Sequence, residues 1–115
     1  MFDRSALMEQ LGGDEQLARE VVDLFLRDCP LQLSAIRTAL DAGDAQEVYV
    51  VAHTLKGAAS TLAATEVARA AHTLEQLGRD GLVHASGEAW QVLESAAARL
   101  LEALRAAEFP ETGTA

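Results

Sequence analysis

The chain has 115 residues, half of them hydrophobic but only 4% aromatic, and a formal net charge of −9. That length supports one compact core rather than two, and the acidic balance argues against a nucleic-acid surface, which needs clustered Lys and Arg to displace counterions. No apolar stretch approaches the roughly 20 residues of a membrane span, Phe2, Asp3 and Arg4 lack the basic-then-apolar pattern of a secretory leader, and a lone Cys29 cannot build a disulfide framework.

Ala and Leu dominate the apolar residues, which favours helix over strand. A short first helix is predicted from Asp3 to Leu11, with Leu7, Met8 and Leu11 on one face and Gly12-Gly13 ending it. Asp14 should cap a second helix carrying Leu17, Val21, Leu24 and Phe25 at helical spacing. Pro30 interrupts that run, so the helix kinks or restarts there before Leu33, Ile36, Arg37 and Leu40 continue the period. Ala42-Gly43-Asp44 forms a turn, and Asp44 with Glu47 three residues on resembles a capping box opening a helix from about Ala45 to Leu62.

Thr65 and Glu66 open the next helix, with Val67, Ala70, Ala71, Leu74 and Leu77 on one stripe and Gly78 and Gly81 closing it. A polar passage around Ser86 and Gly87 leads to a last helix bearing Trp90, Leu93, Ala97, Leu100, Leu101 and Leu104. The predicted fold is all-α: an antiparallel up-down four-helix bundle with a short additional N-terminal helix capping one end. The bundle domain is expected over 1–108 and a flexible C-terminal tail, containing Pro110, over 109–115. Cys29 reads as a small buried apolar residue, and abundant Ala in the third and fourth long helices leaves little interior room for a cofactor.

At about 100° per residue, with His53 at zero, Val48, Val51, Leu55, Ala58, Ala59 and Leu62 project to the opposite side and form the core face. His53 therefore points outward, with Gln46, Tyr49, Val50, Lys56, Gly57, Ser60 and Ala64 around it. An exposed helical histidine is ordinarily a solvated residue, but its neighbours are unusual. Gly57 costs about 0.8–1 kcal/mol relative to alanine inside a helix, and clear approach to the imidazole is a reason to accept that. Lys56, the only lysine in the chain, can place an ammonium beside a group bound to the ring. Tyr49 and Val50 put apolar surface on a face that would otherwise be hydrophilic, as protein docking requires.

The stretch from Ala52 to Ala64, AHTLKGAASTLAA, resembles the signature of the histidine-containing phosphotransfer (HPt) domain family, in which a histidine is followed by a spacer, Leu, Lys, Gly and a pair of small residues. The resemblance extends through Phe25, Pro30, Leu33, Leu40 and the Ala-Gly-Asp turn upstream and Ala71, Leu74 and Glu75 downstream, roughly residues 5 to 105. The sequence departs from the family where Ala63 and Ser60 stand, positions at or near which glycine is frequent.

The resemblance implies that His53 is a phosphoacceptor whose Nε2 attacks the phosphoaspartate of a response-regulator receiver domain, and that the phosphoryl group is then passed to another receiver. Lys56 would neutralise charge, Gly57 would give clearance, and Gln46, Tyr49, Val50, Ser60 and Ala64 would form the docking face. An ordinary exposed imidazole, titrating near about 6.5, is mostly neutral at pH 7 and nucleophilic without a dedicated base. No carboxylate lies three or four residues either side of His53, unlike a hydrolase triad in which a third group orients the base. The implied protein is a cytoplasmic, monomeric phosphocarrier without autokinase activity. It would hold no cofactor of its own, Mg²⁺ being expected on the partner receiver only, and its partners would be receivers and a hybrid sensor histidine kinase, with no nucleic acid and no membrane insertion.

Two other readings compete. A helical adaptor would use the Tyr49 and Val50 face without phosphoryl chemistry, but has no need to combine His53, Lys56 and Gly57. The dimerisation domain of a histidine kinase usually has an acidic residue directly after its histidine, where Thr54 stands here, and builds its bundle from two chains. An autonomous kinase is excluded by the lack of a Gly-rich nucleotide motif. His72 should face solvent and His84 lies in a turn-rich connection, so no metal site is expected from the histidines and Cys29.

Overall fold

The structure is a computed structural model that describes residues 2–107. Met1 and residues 108–115, including Pro110 and the expected tail, lie outside the described residues. Helix α1 spans Arg4–Gln10, α2 Glu15–Ala42, α3 Ala45–Thr61, α4 Thr65–Arg79 and α5 Gly87–Ala106, with a single 3₁₀ turn at Val83–Ala85 before α5. Three of the starts are set by aspartates. Asp3, Asp14 and Asp44 accept hydrogen bonds from the backbone N–H groups of Ala6, Leu17 and Glu47 at 3.1, 3.0 and 3.1 Å, each a cap of about 1 kcal/mol.

The connections between α2 and α3 and between α3 and α4 are too short for anything but antiparallel neighbours. Contacts run α2 to α3, α3 to α4, α4 to α5 and α5 back to α2, closing the four-helix bundle predicted from sequence. Helix α1 lies against α2 at one end, where Gln10 Nε2 donates to the Ser60 carbonyl at 3.0 Å. The core is aliphatic, with Leu7, Ile36, Val48, Leu55, Leu62, Leu74, Leu93 and Leu100 fully buried. Cys29 is buried among them, and burial pushes its thiol up to about 11, so it behaves as an apolar residue. Among the described residues no helix is long and apolar enough to cross a membrane.

Three local features differ from or refine the sequence expectation. The chain does not restart at Pro30: α2 continues through it as one helix of 28 residues. Phe25 and Cys29 before the proline and Ile36 and Ala39 after it bury against the same core, which offsets the roughly 3 kcal/mol that an internal proline costs. Gly78 does not close α4 but lies buried within it. A Cβ there would sit 2.7 Å from the Tyr49 nitrogen and 2.8 Å from the Ala45 carbonyl oxygen, so the glycine lets the backbones of α3 and α4 touch.

The third feature is the turn after α3. Gly43 and Ala63 play the same part at the ends of α2 and α3: each has positive φ, 68° and 56°, and each is followed by a residue whose N–H reaches back to the helix, Asp44 to Ala39 and Ala64 to Ala59, both at 2.9 Å. Ala63 is the only non-glycine with positive φ among the described residues. It thus occupies a left-handed position at which an L-residue carries about 1–2 kcal/mol of strain, which is the physical meaning of the glycine frequent there in the family it resembles. Ala63→Gly is expected to raise stability by up to about 1 kcal/mol, the relieved strain exceeding the added freedom of the unfolded chain. A urea midpoint that stays level or falls would refute this.

Candidate functional site

Helix α3 presents its core face as predicted, with Val48, Leu55, Ala59 and Leu62 fully buried, and turns His53 outward with 61% of its side chain exposed. Gly57 is exposed, and a Cβ added there would meet nothing within 4 Å. No packing among the described residues therefore requires glycine at this position. Gln46 and Ser60 are exposed, Val50 is 44% exposed and Tyr49 is half-buried on the same face. Ala64 does not belong to it. Because α3 ends at Thr61 and Ala63 reverses the chain, the helical projection no longer applies at Ala64, which is 1% exposed and part of the core.

The centre of the site is a residue that the projection of α3 alone could not find. Glu75 comes from α4, is 7% exposed, and lies in the seam between the two helices. Its Oε2 is 2.8 Å from His53 Nδ1, while its Oε1 meets Lys56 Nζ at 2.6 Å and His72 Nδ1 at 3.4 Å. The Tyr49 ring stacks on that of His53, with centroids 6.1 Å apart and planes 19° from parallel. A carboxylate does orient the imidazole, contrary to the sequence expectation; it arrives across the helix seam, not along α3.

Burial pushes the Glu75 carboxyl up, but hydrogen bonds from Lys56, His53 and His72, with the charge of Lys56, outweigh it and hold the group at about 2. Glu75 is thus ionised at any working pH and can only accept hydrogen bonds. It follows that His53 contributes Nδ1–H, and in the neutral ring the lone pair is then on Nε2, the ring's other nitrogen. Among the described residues nothing bonds to that Nε2. Lys56, 29% exposed, does not stand free beside the imidazole but holds the buried carboxylate.

A signal for Glu75 was present in the sequence. It falls between Ala71 and Gly78 on the buried face of α4, and an acid on such a stripe calls for a buried partner. The sole lysine, one turn beyond an outward histidine, was the available cation. His72 is exposed as expected yet turns its ring towards Glu75, and His84 is exposed in the 3₁₀ turn, away from this group. Among the described residues no group of three or more His, Cys, Asp or Glu is arranged to hold a metal ion.

A bundle that keeps its interior filled and holds an imidazole on its outer face, with one nitrogen tethered and the other open to solvent, has the architecture of a group carrier. The sequence matches the family model of the Hpt domain over residues 20–107, and the chain belongs to that family. Hpt domains perform histidine phosphotransfer in phosphorelays, as phosphocarrier modules that interact with receiver domains. No curated protein and no solved structure matches the chain.

Proposed function

We propose that the chain accepts a phosphoryl group on His53 Nε2 from the phosphoaspartate of a receiver domain and passes it to a second receiver, with no autokinase activity of its own. The observation that carries this reading is the 2.8 Å contact between His53 Nδ1 and an ionised Glu75, which leaves Nε2 with its lone pair outward. In the forward step that lone pair forms a bond to phosphorus as the acyl phosphate P–O bond breaks, the electron pair leaving on the receiver's aspartate. Nδ1 keeps its proton, so the product is a phosphoimidazolium whose positive charge lies against Glu75. In the reverse step the leaving group is neutral imidazole, and no proton need move in either direction. A single hydrogen bond thus serves both uptake and release.

The Mg²⁺ and the reacting aspartate belong to the receiver in this proposal, and this chain supplies no metal. His53 and Gly57 with Gln46, Tyr49, Val50 and Ser60 make the docking face, and Lys56 neutralises the incoming charge. The setting we propose is cytoplasmic, with a monomeric chain and a hybrid sensor kinase among its partners. Incubation with a panel of phosphorylated receivers tests the reading: at least one should transfer label to His53 as an acid-labile, base-stable phosphoramidate, and no labelling by any receiver of the source organism would end it. Gly57→Leu should leave the unfolding midpoint within about 1 kcal/mol of wild type, because the new side chain meets open space, yet slow transfer by at least about tenfold by obstructing approach. Unimpaired transfer would remove the clearance role.

A further inference from the structure

Oε1 of Glu75 has two donors, Lys56 Nζ at 2.6 Å and His72 Nδ1 at 3.4 Å. The first is a short ion pair; the second is at the outer limit of a hydrogen bond. Lys56 sits one helical turn from His53, so a phosphoryl group on Nε2, bringing about −1.5 to −2 charges, would compete with Glu75 for the same ammonium. If Lys56 moved to the phosphoryl group with nothing in its place, a carboxylate only 7% exposed would lose its counter-charge, a strongly unfavourable change. That carboxylate is also what keeps the His53 proton on Nδ1. His72 is on α4 three residues before Glu75, with 48% of its side chain exposed, and needs to close only a few tenths of an ångström to reach ordinary hydrogen-bond length.

We infer that His72 is a positioning residue for phosphotransfer: it takes over Glu75 Oε1 when Lys56 turns to the phosphoryl group, releasing the lysine without stranding the carboxylate. The groups facing Oε1 and Oε2 are Lys56 and His53 from α3 and His72 from α4. Before transfer Lys56 and His53 are the close partners of the acid, with His72 at the longer 3.4 Å; after transfer His72 and His53 hold it alone. The exchange makes the single lysine available to the reaction while His53 stays tethered by the same oxygen throughout. This inference rests on His53 being the phosphoacceptor.

The test reads the two imidazoles directly. Nitrogen-15 NMR of the full chain, above about pH 8 where an ordinary imidazole is neutral, gives the share of His72 protonated on Nδ1 before and after His53 is phosphorylated with phosphoramidate. That share should rise on phosphorylation in the wild type. In Lys56→Ala it should already be high before phosphorylation and change little, since His72 then holds Oε1 from the start. An unchanged share in the wild type, or an equal rise in both proteins, would overturn the exchange and leave only the field of the phosphate.

Kinetics give a second reading. His72→Ala should slow phosphoryl uptake by about threefold to tenfold in the wild-type background, a contact-scale coupling, and by more than that in Lys56→Ala, where His72 alone is left to hold Oε1. Equal slowing in both backgrounds would mean that His72 acts without Lys56. Labelled His53 with either contrary result sinks this inference alone, whereas His53 that cannot be labelled sinks the phosphocarrier reading and this one with it.

Discussion

His53→Gln should abolish acceptance of the phosphoryl group. The loss is expected to be complete because the group is held by a covalent bond to Nε2, and a glutamine amide has no lone pair nucleophilic enough to form one. The fold should survive, since 61% of the side chain is exposed and the residue is outside the core. Glutamine can moreover donate to Glu75 in the imidazole's place, so the buried acid keeps a partner. Wild type and variant should therefore share an unfolding midpoint and differ only in label. The site of any residual label must be mapped, because His72 also presents an exposed imidazole. Label persisting on His72 or His84 in the variant would transfer the assignment to that residue.

Glu75→Gln should have the next largest effect, slowing transfer to His53 by about tenfold to a hundredfold, the range by which removing the partner that orients a metal-bound imidazole lowers activity. The neutral amide can donate to Nδ1 as readily as it accepts, and in the first case the ring proton moves to Nε2 and blocks the nucleophile. The same change alters stability with a definite sign. The Glu75 carboxyl is held at about 2 in the folded chain, below the roughly 4.3 of an unfolded glutamate. The unfolded state thus binds the extra proton first, and the acid's contribution to stability is present above about pH 5 and lost progressively as the pH falls towards 2. Urea midpoints of wild type and Glu75→Gln should be furthest apart near neutrality and converge through that window. Parallel curves would show that Glu75 contributes nothing through its charge.

The long elements were legible because their signals are local. Asp14 and Asp44 cap helices whose apolar spacing is unambiguous, and the outward direction of His53 follows from the spacing of Val48, Leu55, Ala59 and Leu62 alone. Where the reading failed, the controlling physics was not local. Ala64 was projected as though α3 continued, but a left-handed Ala63 ends the helix, and nothing in an alanine announces positive φ. Gly78 read as a terminator because glycine usually is one; its real reason is the opposing backbone of another helix. Glu75 was noticed only as part of a resemblance, since its contacts to His53 and Lys56 span the pairing of α3 with α4, which periodicity within either helix cannot reveal. The continuity of α2 through Pro30 likewise depended on burial on both sides of the proline.

The touch of Gly78 on the main chain at Ala45 and Tyr49 has a bearing on how such a protein can diversify. Tyr49 stands one turn before His53, and Gly78 lies three residues after Glu75, so the distance from ring to acid is inherited from two peptide backbones meeting with no side chain interposed. Core residues further along the rod can then be exchanged for others of different bulk without moving the reacting pair. Gln46 and Val50, exposed on the outer side of the same helix, take no part in that contact and can change without disturbing it.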